Sequence, residues 1–169
     1  ENGAYYSPSK DIVVLPMKAQ FNIGDSPEET YRGGMEYYST MLHEMTHSTM
    51  TPERLNREMG GRFGDPKYAK EELVAELTAA MISHSMGFDS RITDNSAAYL
   101  DSWIGVLKQE PKFIVSVMAD VNKASDLILD HVDKQRLALG EQPYLAKNDP
   151  LAPVSADEEM PFRNAAIVK

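Results

Sequence analysis

The chain has 169 residues, of which 42% are hydrophobic and 25% charged, and its net charge is −9. This length and composition predict one globular domain with a real core, and no apolar run approaches the roughly 18 residues of a membrane-spanning helix, so no membrane partner is expected. The acidic balance argues against a domain that grips nucleic acid by its phosphates, which takes clustered Lys and Arg. There is no cysteine, which fits a cytoplasmic location and excludes disulfides and thiolate metal sites.

The chain begins with a segment that is predicted to be irregular and then to form a strand. Gly3 and Pro8 interrupt residues 1–10, where no regular element is expected. The β-branched run DIVVL at 11–15 predicts a strand that ends at Pro16.

Most of the remaining chain has the three- and four-residue apolar spacing of helices. Thr51-Pro52 and Asp65-Pro66 each indicate an N-cap followed by proline at the first helical position. The predicted helices are a short one at 27–31 in the loop 17–33, then 35–49, 51–60, 66–86, 96–108 and 112–138. The expected fold is therefore α+β and mostly helical. Residues 1–138 are predicted to form the domain, and residues 139–169 a Pro-rich acidic tail that is extended or mobile.

The first candidate site is HEMTH at 43–47, inside a predicted helix. His43 and His47 are four residues apart, so both imidazoles lie on one helix face and can bind one metal ion. Glu44 follows the first histidine and can reach a water molecule on that metal without binding the metal itself. This is the logic of the H-E-x-x-H pattern of zinc peptidases. The alternative is two surface histidines on an amphipathic helix.

A catalytic zinc ion needs a third protein ligand and one open position. A metzincin would carry glycine at position 50 and histidine at 53, and this chain has Met50 and Glu53. With thiolates excluded, the third ligand must be a carboxylate from another helix or a distant histidine.

The stretch EELVAEL in the helix predicted at 66–86 supplies candidate carboxylates. Glu72 and Glu76 are four apart among apolar residues, and buried carboxylates need partners. Glu72 is favoured as the metal ligand, and Glu76 as the acceptor of a hydrogen bond from a ligating histidine. Glu71 is expected to point elsewhere, by about 100° around the helix. The alternative is that all three glutamates are solvated charges, helped by Lys67 and Lys70.

Four blocks of the sequence together resemble a known family. They are YYSPSKDIVVLP, YYSTMLHEMTHST with the PERLNR that follows, FGDPKYAKEELVAELTAAM, and NSAAYLDSWIGVLK. Their combination is similar to the zincin-like metallopeptidase domain of ArdC-type antirestriction proteins and covers most of residues 5–130. The resemblance implies a gluzincin-like arrangement, with His43, His47 and Glu72 as Zn²⁺ ligands and Glu44 as general base.

The same resemblance implies a small N-terminal β-sheet, an active-site helix and a second helix that bears the ligating glutamate. In that family the peptidase domain follows a domain that binds single-stranded DNA. This sequence contains no basic domain of that kind. If the chain is a fragment, nucleic-acid binding would belong to the missing N-terminal domain, and none is expected of this domain itself.

The chemistry expected of such a site is peptide hydrolysis by a metal-activated water, with Glu44 as the proton carrier. Strand 11–15 could hold an extended protein or peptide substrate by backbone pairing. Tyr99 and His84 are candidates for stabilising the transition state. Each has an alternative interpretation: Tyr99 as a packed aromatic residue, and His84 as a helix-end histidine that interacts with the helix dipole.

Two functions from different classes fit these patterns. The first is a zinc peptidase. The second is a non-catalytic acidic module of the antirestriction or DNA-mimic type, with a vestigial or structural zinc site. A purely structural site is less favoured because it needs no base such as Glu44 and normally has four protein ligands.

Overall fold

A computed structural model describes residues 3–58, 60, 65–87, 103, 105, 108 and 111–151. The described part is mostly helical, with one small antiparallel sheet, and this confirms the predicted α+β class. Its principal elements are strands β1 (Tyr5–Ser7) and β2 (Ile12–Val14) and helices α1 (Pro27–Ser48), α2 (Pro66–Ser85) and α3 (Phe113–Ala138). Short 3-10 helices lie at Lys18–Phe21 and Ala146–Asn148. No helix among these residues is both long and apolar enough to cross a bilayer.

The small sheet contains a strand that the sequence did not predict. Tyr6 pairs with Val13 in the middle of the β1–β2 ladder, although residues 1–10 were expected to be irregular. The turn is closed by Asp11, whose φ is 50° and whose carboxylate accepts hydrogen bonds from Tyr6 and Arg54. A three-residue strand is stabilised mainly by its cross-strand partner, so local composition indicates it weakly.

Helix α1 is one continuous helix where a short helix, a loop and a longer helix were predicted. It begins at a capping box in which Ser26 and Glu29 satisfy each other's backbone N–H groups. Gly33 and Gly34 do not interrupt it. A Cβ on Gly33 would lie 2.3 Å from the carbonyl oxygen of Phe21. The glycine is therefore where α1 packs closely against the chain that precedes it.

The helix predicted at 51–60 is wrong for the residues that can be described. Residues 51–58 form turns and irregular chain, and Asn56 has a φ of 48°. Backbone N–H groups of this segment instead donate hydrogen bonds to carbonyl groups just after α1. The N–H of Arg57, for example, donates to the carbonyl of Met50. Its two arginines extend to Asp11 and Glu71, so tertiary ion pairs outweigh the local helix signal.

Helices α2 and α3 match their predicted ranges closely. Asp65 caps α2 as expected, and Gly87, with a φ of 78°, follows its end. The predicted helix at 96–108 falls mostly outside the described residues, within which Trp103, Gly105 and Lys108 are helical.

Helix α2 packs between α1 and α3, which places the EELVAEL stretch beside the HEMTH helix. One buried cluster joins all three helices through Leu42, Ala79, Ile82, Ile128 and Leu129. A second cluster joins α2, Trp103 and α3.

The first residues of the predicted tail contact helix α3 and the core. Asp133 of α3 accepts hydrogen bonds from the backbone N–H groups of Tyr144 and Leu145 and from the amide of Asn148. Tyr144 and Leu145 also pack against the core. The domain boundary at residue 138 stays a prediction, as does the state of residues 152–169, which lie outside the described residues.

Candidate metal centre

The two histidines of HEMTH face one point in space. Their Nε2 atoms lie 3.1 Å apart and their rings meet edge to face at 4.7 Å between centroids. The one-turn spacing on α1 produces this geometry directly, as the sequence predicted.

Glu72 reaches the same point from α2. One carboxylate oxygen lies 3.6 Å from Nε2 of His43, and the other lies 3.5 Å from Nε2 of His47. One ligand atom from each of the three residues lies within 4.8 Å of the others. Ligand atoms about 2.0–2.1 Å from a tetrahedral ion lie about 3.3–3.4 Å from one another. The three side chains therefore fit a divalent metal ion.

Each histidine has a carboxylate behind it. Glu76 Oε1 lies 3.3 Å from Nδ1 of His43, and Glu71 Oε1 lies 3.3 Å from Nδ1 of His47. Acceptors at both Nδ1 atoms favour the tautomers that leave both Nε2 atoms free to bind a metal. Glu76 thus contacts His43 on the side away from Glu72, and its role as an orienting residue stays a prediction.

The predicted position of Glu71 is wrong, because this side chain was expected to point elsewhere or to be solvated. It is 3% exposed and contacts His47. Adjacent helix residues do diverge, and here they contact opposite sides of one imidazole. Glu71 lies at Nδ1 of His47, and Glu72 lies at its Nε2. No sequence signal specified this, because it depends on how α1 and α2 pack.

Arg57 compensates the buried negative charge of Glu71. Its Nη2 lies 2.7 Å from Oε1 of Glu71 and its Nε 2.8 Å from Oε2. Burial alone would raise the pKa of Glu71, but the Arg57 hydrogen bonds, and then the one from His47, lower it. Thr49 and the carbonyl of Thr46 hold the same guanidinium. Arg57 was missed from the sequence because it lies in the segment predicted as a helix.

The site is strongly negative before any cation is considered. Burial opposes protonation of His43, yet the hydrogen bonds that its ring donates to Glu72 and Glu76 outweigh it and raise the pKa of His43 to about 10. Burial likewise works against ionised Glu72, whose pKa is nevertheless lowered by His43 and by the charge of His47. An environment that favours a proton this strongly also favours a metal cation.

Glu44 is partly buried beside His43, on the side where α1 meets β1. Burial raises its pKa, as does the charge of Glu72, while His43, His47 and the backbone N–H of Tyr6 act in the opposite direction. A carboxylate with a raised pKa is suited to accepting and returning a proton near neutral pH.

The two other candidates from the sequence are not brought to this site by the described structure. Tyr99 lies outside the described residues. His84 is exposed in the last turn of α2, twelve residues and about 18 Å along the axis from Glu72.

The chain is similar in sequence to several known proteins. A family model described as a zincin-like metallopeptidase matches residues 1–120. DNA primase TraC of Escherichia coli is 38% identical over 132 residues, which are 78% of this chain and 11% of the primase. The uncharacterized protein y4eC of Sinorhizobium fredii is 32% identical over 123 residues, or 73% of this chain and 37% of that protein.

Solved structures show the same similarity. The crystal structure of the antirestriction protein ArdC from plasmid R388 with bound Mn(II) has a TM-score of 0.60 at 36% identity, over 77% of this chain and 44% of that chain. The metal-free form gives 0.59 at the same identity, over 84% and 45%. The chain thus spans about a tenth of the primase and less than half of ArdC.

Proposed function

The chain belongs to the family of zincin-like metallopeptidase domains, and we propose that it is a zinc-dependent peptidase that hydrolyses bonds in a protein or peptide. One observation carries the proposal. The ligand atoms of His43, His47 and Glu72 converge within 4.8 Å, and each histidine has a carboxylate at its other ring nitrogen. Zinc rather than another divalent ion is proposed because two imidazoles and one carboxylate form a usual catalytic zinc set.

A bound zinc ion would supply Lewis acidity, polarising the scissile carbonyl and lowering the pKa of a water molecule. Glu44 would accept the proton of the attacking water and return it to the leaving amine nitrogen. Glu71 and Glu76 would keep the two imidazoles in the tautomers and orientations that the ligands need. The raised pKa of Glu44 suits it to hold the proton between these two steps.

The Glu44→Gln variant tests this function. The full chain is loaded with zinc and incubated with a library of peptides from a digested proteome, and new peptide termini are identified by mass spectrometry. We expect cleavage by the original chain and none by Glu44→Gln, with one zinc per chain in both by elemental mass spectrometry. Equal cleavage by both chains, or no stoichiometric zinc in the original chain, would refute the peptidase proposal.

The second candidate is an acidic binding module that acts in antirestriction without catalysis. Two observations favour it: the net charge of −9, and the similarity to a protein named for antirestriction. Such a module would block a DNA-binding partner by charge. Glu44→Gln separates the two functions, because a charge mimic would protect DNA from a restriction enzyme equally well with this substitution, whereas a peptidase would lose the effect.

A further inference from the structure

A second concave site lies next to the metal centre. Its volume is about 440 Å³, and it is bounded by the segment after α1, the first turns of α2 and the middle of α3. Four cationic and three carboxylate side chains line it, and Leu55 is the one apolar residue among them. Binding pockets for drug-like molecules are mostly apolar. A cavity lined this way suits a small, charged and hydrated ligand.

One of the four cationic side chains, Arg57, is already bound in an ion pair. Arg57 is bound to Glu71, and the two side chains are only 7% and 3% exposed. Removing one partner of a buried ion pair is strongly unfavourable. Arg57 therefore forms a fixed part of the wall and is not available to a ligand.

Two lysines on α2 are held much less firmly. Lys67 pairs with Glu58, and both side chains are more than 60% exposed. Lys70 lies 2.7 Å from Asp120, with side-chain exposures of 30% and 20%. Solvent-exposed ion pairs contribute little to stability. The ammonium group of Lys67 can therefore turn toward a competing anion at small cost. The ammonium group of Lys70 also donates to the hydroxyl of Ser116, and its third N–H is left for such an anion.

The fourth cation has no partner among the described residues. Lys123 of α3 is exposed at the cavity, and within the described part of the chain no hydrogen bond or ion pair involves its ammonium group. After the three ion pairs are counted, the cavity keeps this one positive charge in a chain whose net charge is −9. If the acidic side chains were distributed evenly over the surface, no cavity with a net positive charge would be expected.

We propose that this cavity binds a small phosphate-bearing anion, with Lys67, Lys70 and Lys123 donating hydrogen bonds to its oxygens. A phosphate group carries about −1.5 to −2 charges at neutral pH and has three or more acceptor oxygens, which matches three ammonium groups better than a carboxylate does. The volume exceeds that of bare phosphate, so free phosphate and a phosphate ester both fit. The site lies outside the proposed catalytic residues and does not depend on peptidase activity.

The experiment is a titration of the full chain with inorganic phosphate, followed by two-dimensional NMR at constant ionic strength. Lys123→Ala is compared with Lys134→Ala, which removes an equal charge from an exposed position of the same helix, eleven residues away. We expect saturable shifts of amides near Lys67 and Lys70. We expect Lys123→Ala to weaken binding about fivefold, the upper end for a surface charge pair, and Lys134→Ala to leave it unchanged.

Equal weakening by the two variants, or shifts that never saturate, would overturn the proposal. So would binding that is unaffected by Lys123→Ala, which is the result expected if phosphate bound a metal ion at His43 and His47 instead. A parallel titration with adenosine 5′-monophosphate identifies the source of the phosphate group. Equal affinities indicate the free ion, and tighter binding of the nucleotide indicates a phosphate ester.

Discussion

Oε1 of Glu71 lies 3.3 Å from Nδ1 of His47, and the same carboxylate is bound through both oxygens to Arg57. The proposed metal ligand His47 is thus connected to a buried ion pair, and through it to the segment that follows α1. The substitution Glu71→Gln would keep the hydrogen bond to His47 but lose the charge that makes the imidazole a stronger ligand.

We therefore expect Glu71→Gln to bind zinc about 10–100-fold more weakly than the original chain. The measurement is competition with a chromophoric chelator at fixed pH, with circular dichroism to confirm that the helices remain. Arg57→Lys is the matched control for the ion pair, because it keeps the charge but loses the two-point contact. Unchanged affinity in Glu71→Gln would mean that the contact with His47 does not tune the metal.

Glu72 and Glu76 lie one helical turn apart on α2 and have different proposed roles. Substituting each one tests whether Glu72 is the metal ligand and Glu76 the residue that orients His43. Glu72→Ala removes the carboxylate whose two oxygens each face one of the Nε2 atoms, so the purified variant should contain no stoichiometric metal after dialysis. Glu76→Ala removes the acceptor behind His43 and should keep the metal with an affinity lowered about 10–100-fold. Elemental mass spectrometry and chelator competition measure the two outcomes. Loss of metal in Glu76→Ala with retention in Glu72→Ala would reverse the assignments.

The sequence predicted the parts of this site that depend on local geometry. His43, Glu44 and His47 follow from one helical turn, and the Glu72–Glu76 pair from another. Arg57 and the role of Glu71 could not be predicted, because they depend on the packing of α2 against α1 and on a turn that is held partly by tertiary ion pairs. Their contribution appears only when two distant segments are placed side by side.

The pKa of His43 predicts how metal binding depends on pH. In the metal-free protein this pKa is about 10, against an ordinary value of 6.5. Because the folded-state pKa is the higher one, its contribution to stability is fully present below about pH 6.5. That contribution is lost as the pH rises through 10. A metal ion must displace this proton, so zinc affinity should rise about tenfold per pH unit across this window.

Calorimetry at pH 8 in buffers of different ionisation enthalpy measures the proton directly. We expect about one proton released from His43 per zinc ion bound, whereas a histidine with the ordinary pKa would release almost none. Glu76→Gln removes one of the two carboxylates that raise this pKa and should reduce the release. Zinc binding without proton release at pH 8 would contradict the pKa of His43.

The adjacent glycines of α1 give a matched pair for the fold itself. Alanine is favoured over glycine in a helix by about 1 kcal/mol. A Cβ on Gly34 would meet only the flexible side chain of Lys18, at 3.7 Å, so Gly34→Ala should be neutral or stabilising by about that amount.

A Cβ on Gly33 would lie 2.3 Å from the backbone oxygen of Phe21, so Gly33→Ala must push the 3-10 segment away from α1. Such a clash costs about 1–3 kcal/mol, which exceeds the gain in helix propensity. Urea unfolding of both variants measures the difference. A more stable Gly33→Ala would show that α1 does not need close contact with Phe21.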